Sequence, residues 1–115
     1  MKYFEGSEFS CPCCGKGTIS SETKLFLSAA RRMAGIPFVI NSAFRCRRHN
    51  VEVGGLPTSS HLKGLAVDLK CKNSKERFKI LSALLLIGFK RIGIGENFIH
   101  ADLDDSKPDK IIFLY

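Results

Sequence analysis

The chain has 115 residues, of which 44% are hydrophobic and 25% charged, and this predicts a single globular domain and excludes a disordered chain. Its apolar runs, such as 84–87, are too short to cross a membrane, and its first residues lack the apolar segment of a secretory signal. The net charge of +7 favours an anionic partner, but the basic residues are scattered and no nucleic-acid-binding motif accompanies them, so we expect no specific nucleic-acid site.

The first predicted feature is an irregular arm over 1–19, with Phe4 and Phe9 as its anchors on the core. A cluster of hydroxyl residues can then cap a helix predicted over 21–34, which Gly35 ends. The apolar residues at helical spacing on one face are Leu25, Phe26, Ala29, Ala30 and Met33. We therefore expect this face to pack on the core.

The central part of the chain predicts two strands separated by irregular structure. The apolar run 38–40 follows a Gly and Pro break, which is typical of a buried strand. Residues 46–53 can form a short helix or turn, and the composition of 54–59 predicts a loop. The alternating residues 65–70 predict the second strand, which ends at a polar break.

The last third of the chain predicts one helix followed by three strands. Ser74 can cap the helix and Gly88 can end it. Its apolar face consists of Phe78, Leu81, Leu84 and Leu85. The strands are predicted at 91–94, 98–103 and 110–115, with connections short enough for hairpins. This order of elements predicts an α+β domain with a mainly antiparallel sheet and helices packed on one side.

Five cysteines are present, and Cys11, Cys13 and Cys14 lie close together in the arm. Cys11 and Cys14 have the spacing of one half of a structural zinc site, and Cys46 and Cys71 could complete it if the fold brings them close. We favour the alternative that the cysteines are buried or partly buried thiols that behave as small apolar side chains. Stable disulfides are uncommon in the reducing cytoplasm, where a chain without a signal is made.

Two pairs of histidine and aspartate residues are the candidates for chemistry. His61 and Asp68 are seven positions apart, so both can reach one metal ion only if the chain turns back, which Gly64 permits. His100 and Asp102 are two positions apart and point to the same face of a strand. These donors suit a catalytic zinc ion with an open position for water, although they could equally be satisfied core side chains.

The residues around these pairs resemble those of a known family of zinc peptidases. The motifs S-x-H-x-x-G-x-A-x-D at 59–68, F-I-H-A-D at 98–102 and S-A-F-R-C at 42–46 are similar to those of the zinc D-alanyl-D-alanine carboxypeptidase family of murein peptidases. That family includes D,D-dipeptidases and the L-alanyl-D-glutamate endopeptidases of phage endolysins. The resemblance covers the chain from about Phe4 to Leu103 and points to a compact subgroup that phages often encode.

The resemblance implies a role for each matching residue. His61, Asp68 and His100 would hold one zinc ion on the sheet, with water at the open position. Arg45 would bind the scissile carbonyl or a substrate carboxylate and stabilise the oxyanion. Ser59 would contact the substrate or support its loop.

The general base departs from the family pattern. Many members have a Glu or Asp three residues before the last histidine, where this chain has Asn97, which cannot act as a base. We prefer Asp102, on the same strand face as that histidine, as the catalytic base and keep Glu96, one position from the expected place, as the alternative. Asp102 could also hold the imidazole or the metal-bound water. The nearby Asp104 and Asp105 are interpreted as a solvated turn.

The chain is therefore expected to be a zinc peptidase that cuts a bond in the stem or cross-bridge peptides of peptidoglycan, as a D,D-carboxypeptidase or an endopeptidase. We expect a monomer without a membrane span, which is made in the cytoplasm and reaches the cell wall after lysis or as part of a phage particle. The first alternative is a weak or inactive zinc-binding module that binds wall peptide or a protein partner. The second is a basic nucleic-acid-associated protein with a cysteine-rich zinc knuckle.

Overall fold

The computed structural model describes residues 3–115, which form three α-helices, five strands and two short 3₁₀ helices. The α-helices are α1 (Ser21–Ala34), α2 (Arg47–Glu52) and α3 (Ser74–Ile87). The strands are β1 (Ile40–Ser42), β2 (Ala66–Lys70), β3 (Arg91–Ile94), β4 (Phe98–Asp102) and β5 (Ile111–Leu114). The 3₁₀ helices are Gly6–Glu8 and Ser60–Lys63. Among these described helices, none has the length and apolar character needed to span a membrane.

The described strands join one sheet in the order β1-β2-β4-β3-β5. Neighbouring strands are antiparallel, except that β5 runs parallel to β3. This confirms the predicted α+β fold with a mainly antiparallel sheet. The prediction that β4 and β5 form a hairpin is wrong, because β4 is already paired on both edges, with β2 and with β3. The chain after β4 therefore crosses to the outer edge of β3.

Helix α1 has the predicted limits, and the expected residues determine its ends. The side chain of Ser20 accepts a hydrogen bond from the backbone N–H of Thr23, and Gly35 ends the helix in the left-handed region at φ 70°. The buried residues of the helix are Thr23, Leu27 and Ala30. The predicted apolar face is therefore rotated, since Leu25 and Met33 are 69% and 54% exposed.

Helix α3 shows the same error of rotation. Its N-cap is Asn73 in place of the predicted Ser74, whereas Gly88 ends it as predicted. Its buried residues are Ile80, Ala83 and Leu84. Phe78, which we expected in the core, is 74% exposed. Apolar residues surround the C-terminal half of this helix, so helical spacing alone selects more than one face.

The core lies between a helical layer and one face of the sheet, because α1 packs against α3 and α3 against β4. Ile99 and Ala101 point into it from β4, as the alternation along that strand predicts. Phe4 and Phe9 are buried with their ring centroids 5.6 Å apart, so the arm is anchored as predicted. Phe38 also packs in the core, although β1 begins later than predicted. The opposite face of β4 carries the polar candidate residues of that strand and one aromatic side chain.

Candidate metal centre and cleft

The register of β2 and β4 brings two of the candidate ligands together. Asp68 and His100 are direct partners in this antiparallel pair, and such partners have side chains on the same face within reach of each other. Oδ1 of Asp68 lies 2.9 Å from Nδ1 of His100. The sheet alone therefore places a carboxylate beside an imidazole.

The 3₁₀ helix Ser60–Lys63 brings the second histidine to the same place. Ser59 caps this helix by accepting a hydrogen bond from the backbone N–H of His61 at 3.2 Å. Gly64 ends it at φ 70°, and a Cβ there would lie 2.8 Å from a backbone oxygen of the arm. A glycine is needed for this reversal, as the sequence predicts. Nε2 of His61 consequently lies 3.3 Å from Oδ1 of Asp68.

The three donor atoms have the chemistry and spacing that a zinc ion requires. They lie within 4.8 Å of one another, and donors at zinc–ligand distances of about 2.0–2.1 Å are about 3.3 Å apart in a tetrahedron. Nδ1 of His61 lies 2.7 Å from the carbonyl oxygen of Ala43. Nε2 of His100 lies 2.6 Å from Oδ2 of Asp102. Each acceptor favours a proton on the ring nitrogen that it contacts, which is Nδ1 in His61 and Nε2 in His100. The other ring nitrogen, which faces Asp68, can then present a lone pair to a metal.

The charges of this buried group stabilise one another. Burial raises the pKa of Asp68, but its hydrogen bonds with His100 and His61 lower that pKa well below its usual value. Burial lowers the pKa of His100, but its hydrogen bonds with Asp102 and Asp68 outweigh that effect and raise the pKa. A proton therefore competes with a metal ion for His100 up to a higher pH than at a free imidazole.

Arg45 lies beside the candidate ligands, and three side chains contact its guanidinium. Its Nε donates to Oγ of Ser42 at 3.1 Å, and its Nη1 donates to Oδ1 of Asn50 at 3.2 Å. Its Nη2 lies 3.7 Å from Oδ2 of Asp68. Asn50 is itself held, since its side-chain amide donates to the carbonyl oxygen of Leu56 at 2.9 Å. The guanidinium is thus oriented toward the site.

A cavity of about 390 Å³ has the three candidate ligands in its lining, together with Arg45 and Ser59. One part of the lining is aromatic and consists of Phe98, Phe113 and Tyr115. Gly93 makes room for these rings, because a Cβ there would lie 2.5 Å from the ring of Phe113. Burial and the charge of Asp68 raise the pKa of Tyr115 to about 12, so its hydroxyl stays protonated.

Sequence reasoning missed Phe113 and Tyr115 and two cations, Arg91 and Lys107, that also line the cavity. The one available signal was the alternation of Phe113 and Tyr115 along the last predicted strand, which places both rings on one face. Nothing local to Arg91 or Lys107 indicated a site, since both belong to a chain with scattered basic residues.

The two carboxylates considered as a general base have different positions. Asp102 lines the cavity but is fully buried, and its Oδ2 contacts both His100 and Nε of Arg91. Its Oδ1 accepts a hydrogen bond from the N–H of Asp104. Burial raises the pKa of Asp102, but the hydrogen bond with His100 lowers it below its usual value. Glu96 is exposed and lies outside the described cavity lining, so the structure does not bring it to the site.

Asp104 is not part of a solvated turn, and that interpretation was wrong. Its side chain is buried and accepts hydrogen bonds from Ser60 at 2.7 Å and from Lys63 at 3.1 Å. Lys107 lies 3.6 Å from the same carboxylate. These cations offset the cost of burying the charge, and the contacts join the segment after β4 to the 3₁₀ helix of the first histidine. Asp105 is exposed, as expected.

The cysteines are distributed differently from the prediction. All five are free thiols; Cys11 and Cys71 are buried, whereas Cys13 and Cys14 are exposed. The expectation of buried or partly buried thiols is therefore wrong for the latter two. Cys46 lies with the three cysteines of the arm, but Cys71 does not belong to that group.

The sequence matches a known protein family over most of its length. No individual curated protein matches the sequence significantly, so the family is identified from a family model. A family model described as peptidase M15 matches residues 2–102, a range that includes the three candidate ligands, Arg45 and Ser59. This match confirms the resemblance to zinc D-alanyl-D-alanine carboxypeptidases that the motifs indicated. From its sequence and the arrangement of its candidate ligands, the chain belongs to the peptidase M15 family.

Proposed function

We propose that the chain is a zinc-dependent metallopeptidase that hydrolyses a peptide bond in the stem or cross-bridge peptides of peptidoglycan. The observation that carries the proposal is the convergence of His61, Asp68 and His100 in the lining of an open cavity. These residues would hold one zinc ion, and both histidines are already oriented by acceptors behind them. Membership of a peptidase family supports the same activity.

The side chains around the ligands have complementary tasks in such a reaction. A zinc ion held by His61, Asp68 and His100 would supply Lewis-acid chemistry for a water molecule and for the carbonyl group of the substrate. Arg45 would stabilise the negative charge that develops on the carbonyl oxygen, because Ser42 and Asn50 hold its guanidinium in place. Ser59 would support the loop of His61, which agrees with its capping hydrogen bond.

Asp102 would act through His100 and not as the general base that we preferred from the sequence. Its oxygens already accept hydrogen bonds from His100, Arg91 and the N–H of Asp104. A carboxylate with these contacts and a lowered pKa is a poor acceptor for a further proton. The same contacts suit a residue that orients a metal-binding imidazole.

The cavity suits a short peptide with a free carboxylate. Three cationic side chains line it: Arg45, Arg91 and Lys107. Peptidoglycan stem peptides end in D-amino acids whose carboxylate such cations can bind. The aromatic wall can pack against a small apolar side chain such as that of D-alanine. These features favour cleavage at or near the carboxyl end of the substrate.

The second candidate function is that of a zinc-binding module with weak or no catalysis, which binds wall peptide or a protein partner. One observation favours it. Asn97 stands where many family members have a base, and the neighbouring Glu96 is exposed and outside the described cavity lining. Within that lining the carboxylates are Asp68 and Asp102, both of which have other contacts.

Digestion of purified peptidoglycan by the zinc-loaded protein, followed by mass spectrometry of the products, tests the proposal. The wild type should release free D-alanine or create new amino termini, and the products identify the bond that is cut. His61→Ala should lose the zinc ion of the cleft and the activity. His49→Ala is the matched control, because His49 lies outside the ligand group and should keep both. Absence of cleavage by the wild type with zinc bound at the site would support the binding module instead.

A further inference from the structure

A second group of metal-binding side chains lies between the arm and the N-terminus of α2. It consists of four thiols, Cys11, Cys13, Cys14 and Cys46, whose sulfur atoms lie within 4.8 Å of one another. Sγ of Cys11 is 3.4 Å from that of Cys13 and 3.6 Å from that of Cys46. Sγ of Cys13 is 3.3 Å from that of Cys46. None of these cysteines belongs to the described lining of the peptidase cavity.

These sulfur positions approximate the corners of a tetrahedron around a metal ion. Four thiolates at zinc–sulfur distances of about 2.3 Å have their sulfur atoms about 3.8 Å apart. A disulfide would require about 2.05 Å between two sulfur atoms, and all five cysteines are free thiols. The geometry therefore corresponds to a four-thiolate site and not to a pair of disulfides.

Local backbone structure builds this arrangement. The N–H of Gly15 donates to the carbonyl oxygen of Cys11 at 2.7 Å, and Gly15 adopts φ 69°, so the segment with the first three cysteines closes into a tight loop. Sγ of Cys46 caps α2 by accepting a hydrogen bond from the backbone N–H of His49 at 3.4 Å. A backbone N–H directed at sulfur stabilises a thiolate ligand.

We propose that Cys11, Cys13, Cys14 and Cys46 bind one structural zinc ion, separate from the centre in the cleft. Thiolate donors favour zinc over the hard divalent ions, and four protein ligands leave no open position for a substrate. On binding, each thiol releases its proton to solvent, and the zinc ion stays divalent. Two arginines directly follow Cys46 in the sequence and can offset the negative charge of the complex.

The ion fastens the arm to the segment that carries Arg45. Cys46 follows Arg45 directly in the sequence. A hydrogen bond of 3.2 Å from the N–H of Phe44 to the carbonyl oxygen of Phe9 already joins the same two segments. Zinc bound by the four cysteines adds metal–thiolate bonds between these two segments. These bonds contribute to folding and hold the backbone at Arg45 in place.

Metal analysis of protein purified under reducing conditions tests the proposal. The wild type should contain two zinc ions per chain when both sites are filled, and Cys13→Ser/Cys14→Ser should contain one. Both replaced side chains are exposed, so the core is not disturbed. His61→Ala should lose only the ion of the cleft, which separates a failure of the proposed peptidase from a failure of this site. Cys71→Ala, the matched cysteine control outside the group, should retain both ions.

Cobalt substitution provides a readout that does not depend on activity. Cobalt bound by thiolates absorbs in the near ultraviolet through sulfur-to-metal charge transfer. This absorption should appear in the wild type and in His61→Ala and disappear in Cys13→Ser/Cys14→Ser. Its absence from the cobalt-loaded wild type, or an unchanged zinc content in the double cysteine variant, would overturn the proposal. Disulfides among these cysteines in the purified protein, detected by intact mass, would also overturn it.

Discussion

Asp102 lies directly behind His100, with its Oδ2 2.6 Å from Nε2 of the imidazole, while Asp68 contacts Nδ1 on the other side of the ring. Strand pairing places Asp68 opposite His100, and the alternation along β4 places Asp102 on the same face. Arg91 donates to the same Oδ2 at 3.2 Å and fixes the second carboxylate. The imidazole is thus held between two carboxylates, of which one faces the candidate metal position.

Asp102→Asn should weaken zinc binding in the cleft about 10–100-fold. Asparagine keeps the shape of the side chain but removes the charge that orients the His100 imidazole. Competition with a chromophoric chelator measures the affinity, in a Cys13→Ser/Cys14→Ser background so that one zinc site is observed. Asp105→Asn, at an exposed carboxylate, should bind zinc as the parent does. Unchanged zinc affinity with lost hydrolysis would show instead that Asp102 is the general base.

The zinc affinity of the cleft should continue to rise as the pH passes 6.5, the ordinary pKa of an imidazole. The pKa of His100 is raised in the metal-free protein, so the proton competes with zinc up to a higher pH than at a free imidazole. In Asp102→Asn that pKa falls, and the affinity should level off at a lower pH. Chelator competition between about pH 5.5 and 8.5 covers this range. If zinc affinity depended on pH identically in the wild type and in Asp102→Asn, Asp102 would not control the proton that competes with zinc at His100.

Gly55→Ala should lower kcat about tenfold or more while the zinc content stays unchanged. A Cβ at Gly55 would lie 2.1 Å from Oδ1 of Asn50 and 3.0 Å from Nη1 of Arg45, so the methyl group displaces the acceptor that orients the guanidinium. Asn50→Ala should have the same effect. Asn50→Asp retains an oxygen that can accept a hydrogen bond from Arg45. Its kcat should therefore lie between that of Asn50→Ala and that of the wild type.

Gly6→Ala is the control for this series, because a Cβ at Gly6 would meet no atom within 4 Å. It should leave kcat, KM and zinc content at wild-type values. A parallel loss of zinc in Gly55→Ala would show that the substitution disturbs the whole cleft and not Arg45 alone. Steady-state kinetics on a defined muropeptide, with metal analysis of each variant, distinguish these outcomes.

The candidate ligands could be predicted from the sequence because their positions depend on short-range constraints. Gly64 permits the reversal that returns His61 toward Asp68, and the spacing of His100 and Asp102 places them on one strand face. The ends of α1 were predictable for a similar reason, since a serine cap and a left-handed glycine have chemistry specific to helix ends.

The rest of the cleft depends on contacts between distant segments, and local patterns do not specify these. Phe113 and Tyr115 reach His100 only because β5 joins β3, and their alternation does not indicate which sheet edge the strand will join. Asp104 has the sequence context of a turn, but its partner Lys63 comes from a different part of the chain. The apolar faces of α1 and α3 were misassigned because each helix has consecutive apolar residues, at 25–27 in α1 and at 84–86 in α3, which extend over more than one face.

Leu27→Ala should lower the free energy of unfolding by about 3 kcal/mol, because Leu27 is fully buried and its removal leaves a cavity. Leu25→Ala, the matched change on the same helix, should alter it by less than about 0.5 kcal/mol, since Leu25 is 69% exposed. Urea denaturation of both variants measures the difference. Equal effects would contradict the observed orientation of α1.

Asp104→Asn should lower the free energy of unfolding at neutral pH by about 2 kcal/mol, because Lys63 and Ser60 lose a charged acceptor. Burial raises the pKa of Asp104, but hydrogen bonds from Ser106, Ser60 and Lys63 hold it below its usual value of 3.8. A carboxylate whose pKa is lower in the folded than in the unfolded state stabilises the protein above the unfolded pKa. That contribution is lost as the pH falls below 3.8 through the folded pKa.

The stability difference between wild type and Asp104→Asn should therefore be constant near neutral pH and shrink in acid. Urea denaturation from about pH 7 to pH 3 measures it across the range in which the unfolded carboxyl titrates. Asp105→Asn is the control, because its ion pair with Lys90 is exposed and screened by solvent, so the substitution should leave the stability near that of the wild type at each pH. A difference for Asp104→Asn that stays constant down to pH 3 would mean that its shape, and not its charge, stabilises the segment after β4.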